Sequence, residues 1–364
     1  MEMIRIVLVT LVVFNLVLVP SKADFGFHFP FFGGGSSPDP PQDDNQATPA
    51  GQTMANETLR EDFYIDSCPD AEQIVSDALT DIFKSNPNSI ANLIRLQFHD
   101  CFVVGCDASV LLDYSKAGDK VEKSSMLNGQ LLKGADLIDD IKAKLEQRCP
   151  GTVSCSDTLV FATNEAMTLA GLPRRKALGG RRDSLVSLAS VAERNNLPMP
   201  NWSMDQMLEL FKRKGYTPEE MVVLLGAHSV GVAHCDTFME RVYDYARTGK
   251  PDAALPKKVA NEMKMQCPHA GTPQFRNPPV SFDETPTVLD NLFFKNMVEK
   301  KKTLLITDSH LIADPRTFPI VKQMADDQAL FQRRFVEVMD KLTSMNALIG
   351  TDGEIRKTCR SSNN

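Results

Sequence analysis

The chain of 364 residues has a single tryptophan, Trp202, and several other absences narrow what it can be. No basic run marks a nucleic-acid interface: 40 Lys and Arg stand against 47 Asp and Glu, a net charge of -7. The apolar run Ile6 to Val19 is too short to cross a bilayer comfortably. No HExxH motif or similarly close ligand pair exists, and Cys101 and Cys106 lack a matching C-x2-C pair, which argues against a zinc centre. Strand signals are sparse. Between residues 24 and 60 there is no lysine and one arginine, so electrostatic tethering of that segment to an acidic matrix is not supported.

What is present begins with a processing signal. One cation before the Ile6–Val19 run, then Ser21-Lys22-Ala23 with small residues at the -3 and -1 positions, predicts cleavage after Ala23 and entry into an oxidising compartment. Residues 24 to 60 are rich in Pro, Gly, Ser and Asp and read as a flexible segment without an assignable function. The sequons Asn56-Glu-Thr58 and Asn201-Trp-Ser203 are glycosylation candidates in that compartment. All 8 cysteines follow, an even count that reads as four disulfides among on the order of a hundred possible connectivities. Periodicity from Asp70 onward is helical, as in Ala71 to Ser85 and Asp136 to Arg148. Helix starts are expected after Ser154 and at Pro218, the latter leading into a helix that carries His228. The composition, 42% apolar, is enough for one large core or two fused lobes, mostly α with short β pieces at most.

The most informative stretch is Arg95-Leu-Gln-Phe98-His99-Asp100-Cys101-Phe-Val103-Val-Gly105-Cys106-Asp107-Ala-Ser109. On a helix, Arg95 and His99 at i and i+4 share one face, with Phe98 beside it and Gln97 directed elsewhere. A base and a permanent cation aimed into one cavity can move a proton and stabilise the negative charge that results. Downstream, Asp100, Asp107 and Ser109, with the carbonyls of Val103 and Gly105, offer the oxygen donors that a hard cation such as calcium requires.

That run resembles the distal signature of the plant class III secretory haem peroxidases. The resemblance covers roughly residues 61 to 360 and implies a two-lobed, mostly α fold with haem b between the lobes. It continues in Leu224-Leu225-Gly226-Ala227-His228-Ser229-Val230-Gly231 and in Leu304-Leu305-Ile306-Thr307-Asp308. It implies that Arg95 and His99 lie above the haem iron and Phe98 against the cofactor, with His228 as the axial ligand below the iron and Asp308 orienting His228. Asn128 matches the asparagine that orients the distal imidazole, and Pro198 matches a proline at the haem edge where donors approach. The distal calcium set becomes Asp100, Val103, Gly105, Asp107 and Ser109, with Glu122 linked through water.

A proximal calcium is implied at Ser229, Asp283, Thr285, Val288 and Asp290, although only Glu284 separates Asp283 from Thr285 where the family usually has two residues. Arg175 stands where the family normally carries a tryptophan. The implied disulfides are Cys68–Cys149, Cys101–Cys106, Cys155–Cys359 and Cys235–Cys267, the third closing a loop worth about 4 to 5 kcal/mol in the entropic model. The domain would run from 61 to 364. The implied activity is reduction of hydrogen peroxide to water with one-electron oxidation of small phenolic donors, in cell-wall phenolic oxidation, peroxide removal and stress response. The expected protein is a monomer without nucleic-acid partner or membrane attachment, located in the apoplast or cell wall rather than the vacuole. Two other classes stay open: a secreted binding protein that keeps the fold without turnover, and a zinc hydrolase using His99, Asp100 and His228.

Overall fold

The structure, a computed structural model, describes residues 58–115, 118–129, 132–270, 272 and 276–363. The leader, nearly all of the segment from 24 to 60, and the sequon at Asn56 lie outside the described residues. Helices dominate: α1 (Ala71–Ser85), α2 (Ser89–Val103), α3 (Ala135–Arg148), α4 (Cys155–Leu169), α5 (Ala189–Ala192), α6 (Met204–Arg213), α7 (Pro218–Leu225), α8 (Cys235–Tyr243), α9 (Lys257–Gln266), α10 (Leu292–Lys295), α11 (Ile306–Ala313), α12 (Phe318–Asp326) and α13 (Gln328–Thr343).

Their limits follow from local chemistry. In α1 the buried positions Ala71, Val75, Ala78 and Leu79 recur at three and four spacings, so one stripe faces inward. The Ser154 hydroxyl caps α4 by accepting from the Asp157 amide, and Asp183 accepts from the amides of Cys155 (3.0 Å) and Ser156 (2.9 Å) at the same helix end. Capping boxes open α6 at Ser203 with Gln206, and α7 at Thr217 with Glu220 ahead of Pro218.

Two helix groups result. Helices α1 to α4 pack on one another, and α6, α7 and α10 to α13 form a second group; α13 and the turn Gly226–Ser229 reach across to α2. The expected helix through His228 is not continuous. The α-helix stops at Leu225, and His228 rides a 3-10 turn, Gly226–Ser229. Gly226 lets the Phe331 ring pack against this turn, because a Cβ there would sit 2.5 Å from that ring. Gly231 then turns the chain at φ +88, where a Cβ would collide with that of Ala91 on α2 at 2.7 Å.

The chain next forms β1 (Val232–His234), paired antiparallel with β2 (Pro279–Ser281), Ala233 opposite Val280. All four implied disulfides are present: Cys68–Cys149, Cys101–Cys106, Cys155–Cys359 and Cys235–Cys267. At the buried centre, Asp157 accepts from Arg181 Nη1 (2.8 Å), Tyr64 Oη (2.7 Å) and the Gly180 amide (2.6 Å). A charge pair with both side chains fully buried is tolerable only when its oxygens are satisfied in this way. Arg175 is not a tryptophan substitute in packing terms; it forms an ion pair with Asp340 of α13.

Candidate active site

The α2 helix presents Arg95 and His99 from one face, as the i, i+4 spacing demands. His99 is buried, and its Nδ1 lies 2.7 Å from Asn128 Oδ1. Asn128 Nδ2 donates to the Glu122 carbonyl at 2.8 Å, which fixes the amide's orientation. Oδ1 can then only accept, so His99 carries its proton on Nδ1 and leaves Nε2 as a free base. Burial first, and the Arg95 charge second, push the imidazole down to about 3 from its ordinary 6.5. Arg95 keeps part of its surface in water, and desolvation by its surroundings lowers its pKa. Phe98 stacks on Phe102 with centroids 4.5 Å apart, and Phe102 leans on Phe211, so α2 is wedged against α6. Gln97 turns away as expected and donates to Cys101 Sγ.

His228 Nδ1 lies 3.1 Å from Asp308 Oδ1. Asp308 is fully buried in the first turn of α11 rather than in a loop, and its Oδ2 has no hydrogen-bond partner among the described residues. The carboxylate takes the Nδ1–H and leaves His228 Nε2 available as a ligand. Phe282 stacks on the imidazole, with centroids 4.4 Å apart and planes within 5°, and Phe293 meets it edge-on. Neither phenylalanine is in a sequence motif for the site. Phe282 arrives there because β2 pairs with β1, whose start follows closely after His228. The ring stacking and the Asp308 bond hold one orientation of the imidazole, which is what a metal-ligating histidine needs.

The edge segment is tied to the same helix. The Thr307 amide donates to the Pro200 carbonyl (3.1 Å), and the Trp202 carbonyl lies 3.0 Å from His310 Nδ1. Pro198 and Asn201 therefore sit in a loop braced by α11, which also carries Asp308. Asn201 is exposed.

Asp100, Asp107, Ser109 and Glu122 are all buried. The Ala108 amide donates to Asp100 Oδ2 and the Ser109 amide to Asp107 Oδ1. Asp100 Oδ1 and Glu122 Oε2 have no hydrogen-bond partner among the described residues. Burial, with Asp107 and Glu122 adding to it, raises Asp100 well above the usual carboxylate range, and burial likewise raises Glu122 to about 8. Clustered, dehydrated carboxylates with an idle oxygen fit a cation. Gly105 packs so closely that a Cβ would fall 2.4 Å from the Asn346 carbonyl oxygen. Among the described residues no three His, Cys, Asp or Glu are placed to hold a metal, so a calcium here would draw on hydroxyl and carbonyl oxygens as well.

In the second set, Thr285 Oγ1 donates to Asp290 Oδ2 (3.0 Å), its amide donates to Asp283 Oδ1 (2.8 Å), and Ser229 Oγ donates to the Val288 carbonyl (3.0 Å). Thr285 Oγ1 also lies 3.2 Å from Asp283 Oδ1, so this hydroxyl stands between the Asp283 and Asp290 carboxylates. Burial lifts Asp283 to about 6, and its Oδ2 has no partner among the described residues.

A mostly helical fold with an arginine–histidine pair on one helix and a histidine–aspartate pair on a second helix group defines a haem-peroxidase type of enzyme. Comparison with known proteins agrees: a family described as Peroxidase matches residues 75–327. Peroxidase 28 of Arabidopsis thaliana is 41% identical over 305 residues, covering 84% of this chain and 93% of its own length. Peroxidase 37 of the same plant is 37% identical over 313 residues, 85% of this chain and 89% of its own. The chain belongs to the plant class III peroxidase family.

Proposed function

We propose that this peroxidase holds haem b through His228 and one or two calcium ions, and reduces hydrogen peroxide with small phenolic donors, as a secreted monomer of the apoplast or cell wall. The fixed tautomer of His99 carries the reading: a neutral imidazole with Nδ1–H tied to Asn128 has one task left, to accept a proton at Nε2. Bound haem would supply an iron that gives two electrons to peroxide and regains them from the donors one at a time.

His228 Nε2 would be the nitrogen that holds the haem iron, while Asp308 accepts the Nδ1–H and lends the ring anionic character. His99 Nε2 would accept one proton from hydrogen peroxide and pass it to the departing oxygen, which leaves as water. Arg95 stabilises the negative charge that develops. Pro198 lines the approach of the phenol. The leader motif before Ala23 supports export, and among the described residues no helix is long and apolar enough to cross a membrane.

The test is the visible spectrum of the haem- and calcium-loaded protein before and after one equivalent of hydrogen peroxide. A Soret band that bleaches quickly and recovers when a phenol is added is the expected result. Arg95→Leu and His99→Ala should each slow the peroxide step by about 100- to 10,000-fold with the fold intact. Wild-type rates in both variants would sink the assignment. A Soret band indifferent to peroxide would indicate a haem-binding protein without turnover, and no Soret band would remove the haem assignment.

A further inference from the structure

Lys214 is the C-cap residue of α6, and its side chain reaches back to the distal end of α2. Its ammonium donates to the Val103 carbonyl at 2.9 Å and stands 5.7 Å from the centroid of the Phe102 ring. It is half-buried, and it has no carboxylate partner among the described residues. Arg213 is the charge acting on it, and that charge is repulsive. A lysine placed in this way is held by the carbonyl oxygen and the ring alone.

That oxygen is a contested position. Val103 is the last residue of α2, so its carbonyl is one of the four that lack an intrahelical partner. The helix terminus adds a negative partial charge that draws any cation. A carbonyl oxygen has two lone pairs and can serve an ammonium and a metal together, but each then receives less of it, and the two cations repel across it. Phe102, which stacks on Phe98, presents its ring to one side of the ammonium.

We propose that Lys214 competes with the distal calcium for the Val103 carbonyl, so that this ion is held more weakly and exchanges faster than its ligands alone would dictate. The proposal rests on the reading of Asp100, Val103, Gly105, Asp107 and Ser109 as a calcium site. Calcium affinity in oxygen-ligand sites is tuned by the charge around the ion, and one positive charge added at a shared ligand is expected to weaken binding by about 10- to 100-fold. The chain would then carry one readily exchanged ion beside its haem.

The experiment uses the full holoenzyme loaded with calcium and mixed with a fluorescent chelator, with release followed by stopped flow and total calcium by elemental analysis. The phase lost in Asp107→Ala identifies the distal ion. Lys214→Met removes the ammonium, Lys214→Gln leaves a neutral hydrogen-bond donor, and Lys214→Arg keeps the charge. The expected result is distal release slowed about 10-fold or more in the Met and Gln variants and near wild type in the Arg variant. Equal release in wild type, Met and Gln variants would overturn the proposal while leaving the calcium site standing. Absence of a distal ion from wild type and all variants alike would overturn the calcium reading itself. Loss of the fold in both neutral variants would make Lys214 a structural cation and overturn the competition.

Discussion

At the scale of single residues, the chemistry depends on which nitrogen of His99 holds the proton. The chain from the Glu122 carbonyl through Asn128 to Nδ1 decides it without any charged partner. The low imidazole pKa has a definite sign. The unfolded chain takes up the proton near 6.5 and the folded one near 3, so the fold loses stability as pH falls across that window and is unaffected above it. The acid limb of the peroxide rate should therefore lie well below 6.5, as a pH series of single-turnover rates would show. Asn128→Val removes an acceptor that favours the imidazolium and frees the tautomer. It should slow the peroxide step by about 10- to 100-fold and shift that limb lower still; a limb that moves upward would contradict the role given to Asn128. The distal group was legible in the sequence because Arg95, His99 and Asp100 to Ser109 lie in one short run. Phe282 and Lys214 were not, since ring stacking on His228 and the bond to Val103 join residues far apart in the chain without a motif.

At the scale of elements, α11 is the part that joins functions. It sets Asp308 against His228 and braces the Pro198–Trp202 segment through Thr307 and His310. Substituting His310→Ala leaves the Trp202 carbonyl without its donor, at a cost of about 1 kcal/mol. The donor KM should rise several-fold while the peroxide rate stays put, and separate titrations of phenol and peroxide would show it. A fall in the peroxide rate alone would place His310 in the wrong role. The helices themselves were readable where caps and periodicity coincide, as at Ala71–Ser85, Ser154 and Pro218. The α-helix expected through His228 tightens into a 3-10 turn at Gly226, where only glycine admits the Phe331 ring, a tertiary contact without a signal in the local pattern. Asp308, unremarkable in its own segment, gains its meaning only from a histidine 80 residues away.

At the scale of the molecule, Cys155–Cys359 ties the start of α4 to the far end of the chain across a separation of 204 residues. Replacing both cysteines by alanine should lower stability by about 2 to 5 kcal/mol, measurable by denaturant midpoint on the calcium-loaded protein. An unchanged midpoint would mean that Asp183, which grips the α4 amides and the Arg356 amide together, already holds this seam.

That same bond imposes a schedule on the chain's birth. Synthesis proceeds at about 5 to 20 residues per second, so Cys155 emerges on the order of 10 to 40 s before its partner exists. Cys101 and Cys106, only 5 residues apart, can close almost as soon as they appear, and Cys68 waits 81 residues for Cys149. Through that interval Cys155 is an unclaimed thiol a few residues after Cys149, and synthesis order gives Cys149 a lead of only about a second over it as the partner of Cys68. Oxidation slower than that lead leaves both cysteines open to Cys68, and a disulfide isomerase would then have to undo a Cys68–Cys155 bond before Cys359 can find its partner.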